Sequence, residues 1–94
     1  MRDHMKKRER VEVIADILQV VQRAGGKIKP THLLYKANLS HDALKRYVDE
    51  LQKSDLLVET EKGGKRTYAL TDKGHEYLAK YRQFKEFSDA FGVS

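Results

Sequence analysis

His41, Asp42, Lys45 and Arg46 are the residues whose types and spacing best suit specific chemistry. His41 and Lys45 are four residues apart, as are Asp42 and Arg46. At about 100° per residue these four side chains share one broad face of a helix. Their chemistry is hydrogen-bond recognition, not bond-making. Arg46 can set two parallel N–H donors on guanine O6 and N7, and Asp42 can accept from the N4 amino group of cytosine. The same residues have a plainer use, because Asp42 with Arg46 and Asp49 with Lys53 are (i, i+4) pairs that lace a solvated surface. A second set consists of Lys27, Lys29, His32, Lys36, Lys62, Lys65 and Arg66 on flanking segments. These are suited to neutralising phosphates, which positions a protein on a duplex without reading its sequence.

Other chemistries find little support. His4, His32, His41 and His75 make no ligand pair on a helix face, and no acid supplements them at metal spacing. The absence of cysteine rules out disulfides and thiolate zinc sites. The carboxylates are scattered among lysines and arginines, without a nucleophile–base pair or a phosphate-cradling glycine loop. No enzymatic activity, metal or cofactor is expected.

The elements that must carry these residues follow from periodicity and turn chemistry. Leu33, Leu34 and Ala37 give one apolar helical face, and Leu44, Tyr47, Val48 and Leu51 give another. Asn38-Leu39-Ser40 joins them. Asn tolerates a left-handed backbone, Leu39 can enter the core, and Ser40 can cap the second helix through its hydroxyl. Helix, tight turn and helix within 31–51 make a helix-turn-helix. Tyr35 and Tyr47, at helical spacing among aliphatics, are expected in the core with their hydroxyls at its edge.

Upstream, Val11, Ile14, Ile17, Leu18 and Val21 predict a helix over about 8–24, which Gly25-Gly26 ends. Ile28, between two lysines, fits a one-bridge strand. Pro30 suits the first turn of the next helix, with Thr31 as the competing cap. Downstream, 57–61 and 66–70 alternate as strands, and Lys62-Gly63-Gly64-Lys65 supplies the positive φ angles of a tight hairpin. A hairpin following a helix-turn-helix is a wing. Thr71 then caps a last helix over 72–91. Along it Tyr77, Tyr81, Phe84, Ser88 and Phe91 form a stripe with coiled-coil spacing, flanked by Phe87. A small three-helix core does not cover a helix of that length, so Tyr77, Tyr81, Phe84, Phe87 and Phe91 are expected to form a homodimer seam. The competing expectation is that the helix folds back and its aromatics complete the monomer core.

Charge supports a polyanionic partner. The net charge is +5 over 94 residues, and residues 1–47 carry eleven Lys and Arg against five acids, while 48–94 carry eight against nine. A basic half suits binding by counterion release, although a merely soluble basic surface has the same composition. No apolar run approaches the roughly 18 residues of a membrane span, and there is no secretory core, so a cytoplasmic location is expected and no membrane partner. Lys6, Lys7, Arg8 and Arg10 form a basic cluster suited equally to phosphates or to a solvated helix lead-in.

Two strings carry a resemblance. Thr31-His32-Leu33-Leu34-Tyr35-Lys36-Ala37-Asn38-Leu39-Ser40 and Tyr68-Ala69-Leu70-Thr71-Asp72-Lys73-Gly74 resemble the signature of small archaeal winged-helix DNA-binding proteins. That group includes chromatin-associated proteins and related transcriptional regulators. The resemblance covers about 11–81. It implies dimers joined through the last helix as an antiparallel coiled coil, presenting two recognition helices to double-stranded DNA. His32 stands where the family usually has arginine, and His41 where tyrosine is common.

The expected fold is therefore α+β, mainly α: a winged helix-turn-helix of three helices and a β-hairpin, with a long C-terminal helix. Residues 1–7 are expected as a flexible basic segment, 8–71 as the winged-helix domain and 72–94 as the dimerisation element. The leading functional expectation is sequence-specific or architectural binding of double-stranded DNA, most simply as a transcriptional regulator. The alternative is a winged helix used as a protein–protein interaction module, since fold alone does not separate the two.

Overall fold

The central element is α1 (Arg10–Arg23), which buries Val13, Ile14, Ala15, Ile17, Leu18 and Val21. A computed structural model describes residues 8–92 of the chain; Lys6, Lys7 and the expected N-terminal segment lie outside the described residues. The backbone N–H of Glu9, just ahead of α1, donates to Glu12 Oε1 at 2.9 Å, which closes the first turn. The buried face is wide because α2, α4 and β2, defined below, all pack on α1. Val11, expected on that face, is 44% exposed. Helical side chains lean toward the N-terminus, so a first-turn Val projects past the start of the helix, where no earlier turn covers it.

Gly25 and Gly26 end α1 with φ of +71° and +77°, and the Gly26 N–H donates to the Val21 carbonyl at 3.3 Å. Ile28 then makes the expected isolated bridge, to Tyr68. α2 (Pro30–Ala37) begins with Lys29 as its cap residue and Pro30 in its first turn; Thr31 is not the cap, because Pro30 already has helical geometry. Asn38 takes φ of +56° and ends α2. Leu39 is half-buried against the core. Ser40 Oγ accepts from the Ala43 N–H at 3.1 Å and starts α3 (His41–Lys53).

The hairpin pairs β1 (Leu57–Lys62) with β2 (Lys65–Leu70), antiparallel, with Leu57 opposite Leu70 and Lys62 opposite Lys65. Thr71 Oγ1 donates to the Asp55 carbonyl at 2.6 Å and accepts from the Gly74 N–H at 2.9 Å. One hydroxyl thus fastens the start of α4 (Asp72–Ala90) to the loop after α3. Ile17, Leu18, Val21, Leu33, Leu51 and Leu78 are the largest fully buried side chains, contributed by all four helices. The observed order of three helices, hairpin and long helix is the predicted winged-helix order.

Tyr35 corrects an expectation. It is 73% exposed, not in the core. An eight-residue helix buries a single stripe, here Leu33 and Ala37, and Tyr35 lies about 200° from Leu33. Tyr47 is half-buried against the core, as its spacing predicts.

Candidate nucleic-acid interface

α3 packs through Leu44, Val48 and Leu51, with Tyr47 beside them. That orientation leaves His41, Asp42, Lys45 and Arg46 exposed. All four border an open groove of about 700 Å³ between α3 and the hairpin, which Glu59, Arg66 and Tyr68 close from the other side. Strand alternation explains why these three hairpin residues face α3. Leu57 is buried, so Glu59 and Glu61 on β1, and their partners Tyr68 and Arg66 on β2, share its face. Lys62 and Lys65, the last pair before the turn, belong to the opposite face.

The proposed contact residues thus separate into groups. His41, Asp42, Lys45, Arg46 and Arg66 come together in one groove. Lys62 and Lys65 bracket the exposed hairpin tip, where Gly63 and Gly64 have φ of +58° and +80°. Lys27 and Lys29 flank Ile28, which the bridge to Tyr68 holds beside β2. His32 lies exposed on α2. Lys36 lies apart from the groove, in a shallow depression with Val20, Arg23 and Ala24.

Ion pairs sort the helix surface further. Lys53 Nζ lies 3.2 Å from Asp49 Oδ2, so that (i, i+4) pair forms. Among the described residues no ion pair joins Asp42 to Arg46, and both side chains remain available at the start of α3. Arg8 is tied down on the surface of the fold: it reaches Asp16 at 2.8 Å and donates to the Ala37 and Asn38 carbonyls at 3.2 and 3.1 Å. Arg10 pairs with Glu50. The described half of the basic N-terminal cluster is therefore engaged with the protein's own helices, and Arg8 neutralises the negative end of α2.

Three polar residues of the groove escaped the sequence reasoning: Gln52, Glu59 and Tyr68. Gln52 Nε2 donates to Glu59 Oε1 at 3.3 Å, and Glu59 Oε2 stands 3.8 Å from Arg66 Nε. The alternation that places Glu59 on the face of Leu57 was a usable signal. Nothing in the sequence marked Gln52 as its partner. Burial pushes the Tyr68 phenol above its ordinary range; the Glu59 carboxylate adds to that rise and the Arg66 guanidinium opposes it.

On α4, Tyr77 and Tyr81 pack half-buried against the core, whereas Phe84, Phe87 and Phe91 are 66%, 62% and 70% exposed. The aromatic stripe runs off the edge of the monomer. The Phe87 and Phe91 rings lie 4.7 Å apart between centroids. Among the described residues no helix is long and apolar enough to cross a membrane, and no three His, Asp or Glu gather as a metal site.

Comparison with curated proteins by sequence finds no match. Among solved structures, the chain is similar to Sso10a-2, a DNA-binding protein from Sulfolobus solfataricus, with 23% identity and a TM-score of 0.75 over 89% of this chain and 85% of that one. It is also similar to F93 from STIV, a winged-helix DNA-binding protein, with 22% identity and a TM-score of 0.72 over 85% of this chain and 92% of the other. A MarR family transcriptional regulator from Silicibacter pomeroyi aligns with 22% identity and a TM-score of 0.70 over 82% of this chain; the match spans only 53% of that larger protein. At these identities the likeness establishes the fold. The model of the winged helix-turn-helix family matches residues 7–89, which with the observed helix-turn-helix and hairpin makes this chain a member of that family.

Proposed function

We propose that the protein binds double-stranded DNA as a homodimer and acts as a transcriptional regulator. The observation that carries this reading is the groove itself. The polar start of α3 and Arg66 of the hairpin face the same open space, with Asp42 and Arg46 not joined in an ion pair. In this reading α3 enters the major groove, where residues near the start of a recognition helix reach base edges. His41, Asp42, Lys45 and Arg46 contact bases, and Lys27, Lys29, His32, Lys62, Lys65 and Arg66 meet phosphates along the flanks. The names of Sso10a-2 and F93 as DNA-binding proteins support the partner class. Phe84, Phe87 and Phe91 supply the dimer contact, since large exposed apolar patches mark interfaces.

Acids in the groove favour a second reading, in which the winged helix recognises a protein. Asp42, Asp49 and Glu59 all border it, and each repels phosphate. A titration of labelled duplex at two salt concentrations separates the two. DNA binding requires affinity that falls steeply with salt, and no binding at low salt would leave the protein-interaction reading. Competition between a random duplex and a selected site then distinguishes a regulator from an architectural protein.

A further inference from the structure

Both oxygens of the Glu59 carboxylate are engaged, and by different elements. Oε1 accepts from Gln52 of α3, and Oε2 lies beside Nε of Arg66 on β2. The strand register sets Glu61, not Glu59, directly across from Arg66. Among the described residues, however, the ion pair of Arg66 runs diagonally to Glu59. Diagonal cross-strand neighbours are within reach of long side chains, so this geometry is unstrained. Its effect is to turn Arg66 back along the hairpin toward α3 and into the groove. Because Nε faces Glu59, the two terminal guanidinium nitrogens remain for another acceptor, and that pair is the fork that holds phosphate oxygens. The Arg66 side chain is 55% exposed and that of Glu59 only 32%. The arginine is therefore presented and the carboxylate sits behind it.

A carboxylate beside a surface that meets a polyanion is unfavourable on charge alone. Its hydrogen bond to Gln52 and its ion pair with Arg66 identify an offsetting task. We propose that Glu59 is a positioning residue for DNA binding: it ties the wing to the recognition helix and holds the Arg66 guanidinium against a backbone phosphate bordering the groove that α3 enters. The proposal rests on the DNA-binding reading above. It predicts an inverted sign, because removing a negative charge from a DNA-facing surface ordinarily tightens binding, whereas removing this one weakens it.

The test is a double-mutant cycle on a labelled random-sequence duplex, read by fluorescence anisotropy over a range of salt, with circular dichroism confirming that each variant is folded. Losing one phosphate contact at about 0.1 M salt should weaken binding about five- to tenfold and lower the salt slope by about 0.9. Glu59→Gln is expected to show that loss in the wild-type background and none in an Arg66→Ala background. Glu61→Gln, which removes an acid from the same face that forms no ion pair with Arg66, is expected to tighten binding. Unchanged or tighter binding by Glu59→Gln would overturn the positioning role, as would a loss that persists without Arg66. Absence of DNA binding by the wild type would overturn the DNA reading, and the proposal with it.

Discussion

Gly74, in the first turn of α4, lies so close to the Leu56 carbonyl that a Cβ at residue 74 would be driven into that oxygen. The contact belongs to a junction in which Thr71 also bonds the Asp55 carbonyl, and Thr71 N–H donates to Leu56 at 3.2 Å. Gly74→Ala should therefore destabilise the protein despite improving helix propensity. Alanine gains about 1 kcal/mol over glycine in a helix, but overpacking against backbone, which cannot rotate away, costs about 1–3 kcal/mol and more where nothing yields. A net loss of about 1–2 kcal/mol corresponds to a Tm lower by about 4–16 °C in a domain of this size. A thermal melt of equal or higher midpoint would show that the junction relaxes freely.

Arg46 and Lys65 should fail in different ways if α3 reads bases and the wing tip meets phosphates. Arg46→Ala is expected to cost about 1–3 kcal/mol on a selected site and to relax preference at one position. Lys65→Ala should weaken binding to all sequences alike and reduce the salt slope by about 1. Equal effects of Arg46→Ala on selected and random duplexes would mean that α3 does not specify sequence.

The far half of α4 tests the dimer. Tyr77 and Tyr81 stabilise the monomer core, so the informative substitutions are Phe84→Asp with Phe91→Asp, beyond the edge of that core. Wild type should sediment as a dimer at micromolar concentration. The double variant should remain folded while its dissociation constant rises about 100-fold or more, as expected when aromatic anchors are lost. A monomeric wild type under these conditions would refute dimerisation through this helix.

Alkaline pH reports on the groove floor. Tyr68 is neutral when protonated, and its folded-state pKa is raised, chiefly by burial. The associated stability is thus fully present below the ordinary phenol value of about 10 and is lost as pH rises through the higher folded value. Denaturant unfolding across that range should show a decline in wild type that is smaller in Tyr68→Phe. Identical slopes would place the Tyr68 hydroxyl in water.

Much of the architecture was legible because local chemistry and helical period pointed to one answer. Asn38 in the left-handed region, Ser40 and Thr71 as caps and Gly63-Gly64 at the turn are each decided within a few residues, where backbone sterics and short-range hydrogen bonds dominate. The buried stripes of α1 and α3 are likewise largely apparent from spacing. Val11 and Tyr35 escaped because spacing gives a direction, whereas burial needs a neighbour. Val11 sits in a first turn with nothing before it, and Tyr35 points away from the only stripe that a short helix can bury.

The sequence by itself determined the order of elements, the polar face of α3 and the aromatic stripe of α4. Only the tertiary structure decided which cations lie together. Arg66 joins the groove of α3 while its neighbour Lys65 faces away, and Lys36 lies elsewhere. Arg8 is consumed by the carbonyls at the end of α2, and Glu59 links Gln52 to Arg66. These outcomes depend on how the hairpin docks against α3 and where α1 begins. Such long-range packing brings side chains from distant segments within bonding distance, and no local period encodes it.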